Sequence, residues 1–236
     1  MKKYAMIILM TIFLMAIHAE EKTKSTERSG FGGFTIGVQS MDLGKLNNIF
    51  EDHGFDKFDN VFTTFGGGGY GTIGRNFLIG GSGGGFMEAR AENDSTIAVL
   101  SGGEGFFELG YIVYETKNFS MVPMFGFGGT GLDITLKPKN LSSDSFGELL
   151  DNPAKSCNLT TGNSAIKLGL MNMFQFDAGG NDDESLTIGA ALHFGAIYNM
   201  GDSMWDFDDI DVSGGPDLSK WRYFLNFSVY FGGSKR

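Results

Sequence analysis

Few side chains in this sequence are spaced for chemistry, and each cluster also has a plainer reading. Gly66, Gly68 and Gly71 match G-x-G-x-x-G. In a dinucleotide fold that turn follows a strand and opens a helix, so that backbone N–H groups reach a pyrophosphate. Here strand residues continue past the motif, and a second strand begins by Phe77. The context for nucleotide binding is missing. Asp202, Asp206, Asp208, Asp209, Asp211 and Asp217 crowd one segment; Asp177, Asn181, Asp182, Asp183 and Glu184 crowd another. Carboxylates are hard oxygen ligands suited to Ca²⁺. Neither run has calcium-loop spacing, and solvated surface loops account for both. Beyond residue 19 the histidines are His53 and His193. They are too few for a histidine-rich zinc site. A hydrolase built on His193 would need an activated serine beside it, and the sequence names none. Cys157 is the one cysteine, so no internal disulfide forms. The expectation is a protein with no catalytic residues, no cofactor and no metal site, hence no enzyme.

Composition and the N-terminus narrow the class. Lys2 and Lys3 precede an apolar run from Ala5 to Ile17, and Ala19 is followed by Glu20-Glu21-Lys22. A positive start, a short apolar core and a small residue before a polar stretch predict a signal peptide over 1–19. The run is shorter than the ~20 residues a spanning helix needs. A polar leader is expected over 20–30, and one domain over 31–236. The net charge is −10, and losing Lys2 and Lys3 makes it −12. Such a chain repels nucleic acid, and no basic patch offsets this. Glycine is 37 of 236 residues, phenylalanine 23 and proline 4. Glycine with aromatics and few prolines predicts long, bent strands.

Eight segments have strand character: 31–39, 61–73, 77–90, 96–114, 119–136, 165–176, 186–198 and 221–231. Short polar joins, such as Thr116-Lys117-Asn118, predict antiparallel neighbours. Period-two alternation predicts sheets with two unlike faces. Leu186, Ile188, Ala190, Leu192, Phe194, Ala196 and Tyr198 share one face; Thr187, Gly189, Ala191, His193, Gly195 and Asn199 share the other. Tyr223, Leu225, Phe227, Val229 and Phe231 likewise oppose Arg222, Asn226 and Ser228. Two segments read as helical excursions. In 42–53, Leu43, Leu46, Ile49 and Phe50 form a stripe with Asp42 placed as N-cap. The second is 143–150.

An export signal followed by about eight alternating strands resembles the small outer-membrane β-barrels of double-membraned bacteria. The likeness covers nearly all of the exported chain and rests on pattern. The last strand alternates up to Phe231, like the terminal strand read by the barrel-assembly machinery, although Gly232-Gly233-Ser234-Lys235-Arg236 follow. The resemblance implies an all-β, antiparallel up-and-down barrel of about eight strands with one or two short helices. It implies an outer-membrane location, with membrane lipid and the assembly machinery as partners, and a structural, surface-interaction or minor-pore role. In such barrels the apolar face meets lipid and polar groups fill the interior. Glu88, Arg90, Glu104, Glu108, Lys167, His193 and Arg222 are then the interior ionisable groups, and charges of both signs should pair. An eight-stranded barrel is just wide enough for its own side chains, which favours a packed interior over an open channel.

Glycine clusters at 66–69, 80–85, 102–105 and 126–131 recur near mid-strand in four successive strands. A shared bend or close approach would explain them. Those on the outward face suit a packed helix better than lipid, and 42–53 is the available helix. The same feature supports the alternative: a soluble periplasmic or secreted β-barrel binding a hydrophobic or small ligand. Trp205 and Trp221, with Tyr111, Tyr114, Tyr198 and Tyr223, are candidates for an interfacial girdle.

Overall fold

The structure, a computed structural model, describes residues 28–74, 76–139, 156–181, 184–207 and 210–235. The expected signal peptide and the helix at 143–150 lie outside these residues. So do Asp182, Asp183, Asp208 and Asp209 of the acidic segments.

Eight long strands form the wall: β1 (Arg28–Met41), β2 (Val61–Ile73), β3 (Phe77–Glu92), β4 (Thr96–Tyr111), β5 (Phe119–Pro138), β6 (Cys157–Asn181), β7 (Glu184–Met200) and β8 (Trp221–Lys235). Each pairs antiparallel with its neighbour in sequence, and β1 pairs with β8. The ring is therefore closed, and no stave leaves an unpaired edge in the bilayer. β1 begins at Arg28, so the last three residues of the expected leader belong to the barrel. Their backbone pairs with Gly233, Ser234 and Lys235, and a ladder needs only main-chain groups. β6 likewise starts eight residues earlier than its apolar pattern suggested. Its polar first turn of chain pairs with β5 on one side and with the short strand Trp205–Phe207 on the other.

The greasy faces point out. Phe34 is 79% exposed, and Phe65, Phe107, Phe127, Leu168, Phe194, Leu225 and Phe227 are also exposed around the ring. An apolar belt of this extent on a closed barrel is a lipid-facing surface. The soluble alternative required these residues to be buried, and they are not.

The helix α1 (Gly44–Asp52) does not lie on the glycine face. It sits at the end of the barrel that carries the long connections, and it packs Leu43 and Leu46 against Met41, Phe62, Leu100, Leu132, Ile134 and Trp205. Asn47 fixes it there: its amide donates to the Phe58 carbonyl at 3.0 Å, and the Phe58 N–H donates back at 2.9 Å. Leu43, not Asp42, is the cap residue; Asp42 accepts instead from the Gly44 N–H at 2.9 Å. His53 follows the last turn as expected, with Nδ1 2.8 Å from the Ile49 carbonyl. Trp205 is no girdle residue. It is 4% exposed and donates from Nε1 to the Pro216 carbonyl at 2.9 Å. Trp221 and Tyr223 do face outward, and Trp221 packs on Tyr198 with ring centroids 4.9 Å apart.

Candidate functional site

The lumen is layered. At the loop end lies the apolar cluster that includes α1 and Trp205. At the short-turn end lies a second, of Leu78, Val122, Met124, Met171, Met173, Ala191 and Tyr230. The expectation of a polar filling throughout is corrected here: polar side chains are concentrated between these two clusters, where they share the space with a small third cluster of Phe106, Ala165, Ile197 and Phe224.

Register builds that middle layer. One row across the wall reads Tyr70, Gly80, Glu108, Gly126, Lys167, Ile197, Arg222 on β2 through β8. Large polar side chains alternate with small or apolar ones, as a narrow barrel requires. Gly126 stands between Glu108 and Lys167, and a Cβ there would come within 3.1 Å of Glu108 Cγ and 3.2 Å of Lys167 Cβ. The gap lets the two charges meet at 3.0 Å, with side chains 0% and 4% exposed. Gly80 stands between Tyr70 and Glu108 in the row, and a Cβ there would come within 2.7 Å of Tyr70 Cδ1; the Tyr70 hydroxyl donates a short hydrogen bond to the Glu108 carboxylate. Lys167 Nζ also donates to Ser82 Oγ at 3.2 Å, and it lies 5.3 Å and 4.8 Å from the ring centres of Phe106 and Phe224. Every formal charge of the pair is thus answered, which such burial demands.

Of the seven ionisable residues expected inside, five line the lumen: Glu104, Glu108, Lys167, His193 and Arg222. Glu88 and Arg90 do not. β3 carries a bulge between Phe86 and Ala89, where one extra residue breaks the register with β4. One added residue swaps the two faces of everything after it. Ala89 and Ala91 turn inward. Glu88 and Arg90 turn to solvent, 3.7 Å apart with side chains 60% and 71% exposed. The hint was present in the sequence: Ala89 and Ala91 alternate with Glu88, Arg90 and Glu92.

The second half of the layer is looser. Glu104 accepts from Gln39 Nε2 at 2.8 Å. His193 is buried, edge-on to Phe224 at 4.9 Å, and its Nε2 has no hydrogen-bond partner. Arg222 is 2% exposed, and its Nε has none either. Tyr70, Gln39 and Ser82 are members of this site that charge counting alone could not find; only their register places them. Among the described residues no serine hydrogen-bonds to His193, and no three metal-ligating side chains converge. In the acidic loop, Asp202 pairs with Lys220 at 3.3 Å and Asp217 approaches Lys45 at 4.0 Å, both exposed.

No family model and no curated protein matches the chain. Among solved structures it is similar to Ail, the attachment invasion locus protein of Yersinia pestis, at 12% identity and a TM-score of 0.39, covering 90% of this chain and 99% of that one. OprG of Pseudomonas aeruginosa gives 12%, 0.34, 90% and 97%. AlkL, solved in lipid bilayers, gives 9%, 0.38, 90% and 94%. OprG and AlkL are outer membrane proteins by name. The closed ring and the lipid-facing belt make this chain a small eight-stranded β-barrel of the outer membrane.

Proposed function

We propose that this barrel is a closed, non-catalytic scaffold that holds a surface-exposed loop assembly at the outer membrane and does not conduct. The observation that carries the reading is the layering of the lumen: an ion-paired middle between two apolar clusters. Among the described residues such plugs offer water and ions mostly apolar lining. In barrels of this class the short turns face the periplasm and the long connections face outward. On that orientation the described residues 42–60, 201–207 and 210–220 belong to the outer surface. It carries α1, a two-stranded ribbon of Trp205–Phe207 and Ile210–Val212, and exposed Asp202, Asp211 and Asp217. Surface interaction through these loops is the role the arrangement suits. The outward apolar face of β8, ending in Phe227, Val229 and Phe231, is the surface offered to lipid and to the barrel-assembly machinery.

The test is conductance. Purified barrel reconstituted in a planar bilayer should give a flat current trace under applied voltage. Stepwise unitary currents in most insertions would reject the closed-scaffold reading and restore the minor-pore role.

A further inference from the structure

The middle layer holds one buried cation that meets the carboxylate of Glu104 only through space, and both face an open cavity. A cavity of about 70 Å³ lies within the barrel, lined by Arg222, Glu104, Gln39, His193, Asn226 and Ser228 among others. That is room for several water-sized groups or one small molecule. Arg222 is 2% exposed, and its Nε has no hydrogen-bond partner among the described residues. A guanidinium carries five N–H donors and stays charged, and its burial is costly unless an acceptor meets it. Glu104 lines the same cavity, accepts a hydrogen bond from the neutral amide of Gln39 and attracts Arg222 across the open space. Lys167 and Glu108, by contrast, already neutralise each other at 3.0 Å.

Charge balance selects the ligand class. A lone anion would satisfy Arg222 but sit beside Glu104 and leave the layer with excess negative charge. A lone cation would do the reverse. A molecule with a carboxylate at one end and an ammonium at the other answers both groups and keeps the layer neutral. We propose that this chamber binds a small dipolar ion of the amino-acid type, its carboxylate against Arg222 and its ammonium against Glu104. The unpartnered Nε2 of His193 and the Asn226 amide border the same space and supply further hydrogen bonds. The site is independent of whether the barrel conducts.

The experiment uses the whole exported chain, refolded from urea into detergent micelles so that the plugs pose no barrier to entry. Refolding is done with labelled glycine, and separately with labelled acetate or methylamine. Ligand retained after gel filtration is counted, and the thermal midpoint is read from heat-modifiable gel mobility. Glycine should be retained at near one per barrel and should raise the midpoint, with acetate and methylamine at least about tenfold weaker. Arg222→Met and Glu104→Gln should each lower glycine retention by at least about tenfold. Glu104→Gln keeps the side-chain shape, so it decides the matter alone should Arg222→Met fail to fold. The proposal falls if glycine is not retained, if acetate is retained equally well, or if Glu104→Gln leaves retention unchanged.

Discussion

Along its axis the barrel obeys two opposite rules. Through the belt, the outside is Phe34, Phe107, Phe127, Leu225 and Phe227, while Tyr70, Glu108 and Lys167 lie inside. Toward the loop end the assignment reverses. There Glu88, Arg90, Asp133, Thr135 and Asn158 face out, and Ala91, Ala98, Leu100, Leu132 and Ile134 are buried within. The same staves run through both regions, so the strands themselves did not change. The surroundings did. Hydrocarbon accepts apolar side chains and rejects charge, whereas water does the opposite. The β3 bulge sits at this change of rule, and it lets one strand present Phe77 and Ile79 to lipid below and Arg90 to water above.

The layer between the regions is where the largest effect is expected. Lys167→Met leaves Glu108 buried without its cation and should cost about 3–5 kcal/mol, read as urea unfolding in lipid vesicles. The double change Lys167→Met with Glu108→Leu should recover most of that loss. If the single change is neutral, the pair is not the linchpin of the lumen. Next comes a matched test of the two rules. Phe227→Arg on the lipid face should cost about 2–4 kcal/mol. Arg90→Leu on the watered face should cost less than about 0.5 kcal/mol, since its contact with Glu88 is exposed. Equal costs would erase the distinction between the two heights. Asn47→Ala removes both hydrogen bonds that tie α1 to Phe58. It should cost about 1–3 kcal/mol locally, seen as faster amide exchange in α1 and the adjoining loop with little change in the belt. The smallest effect is Lys45→Ala, whose 4.0 Å approach to Asp217 is exposed. It should shift stability by less than about 0.5 kcal/mol.

Much of the wall was legible in the residues. β2 matches its expected span, and β7 and β8 alternate as read from Leu186 to Tyr198 and from Tyr223 to Phe231. Long runs of period-two greasy residues carry their own signal, because a strand in a bilayer must keep one face apolar. The start of β6 was not legible. Asn158, Thr160 and Thr161 lack that rhythm because they stand above the lipid. The placement of Glu88 and Arg90 was missed for a different reason. A bulge is one residue of register, and nothing within β3 alone fixes the partner that reveals it. The helix at 42–53 was found by its stripe, yet its berth was not. The stripe says that a face is apolar, not which surface receives it.

Residue order alone determined that this chain makes alternating strands with a greasy side, joined closely enough to be antiparallel neighbours, and that few ionisable groups share the opposite side. Those facts are local, set by side-chain alternation along one strand. Only the closed ring decided that Gly80 and Gly126 stand between Tyr70, Glu108 and Lys167 and so let them touch, while Arg222 and Glu104 face one cavity. Contacts across strands depend on register and closure, and those depend on every stave at once.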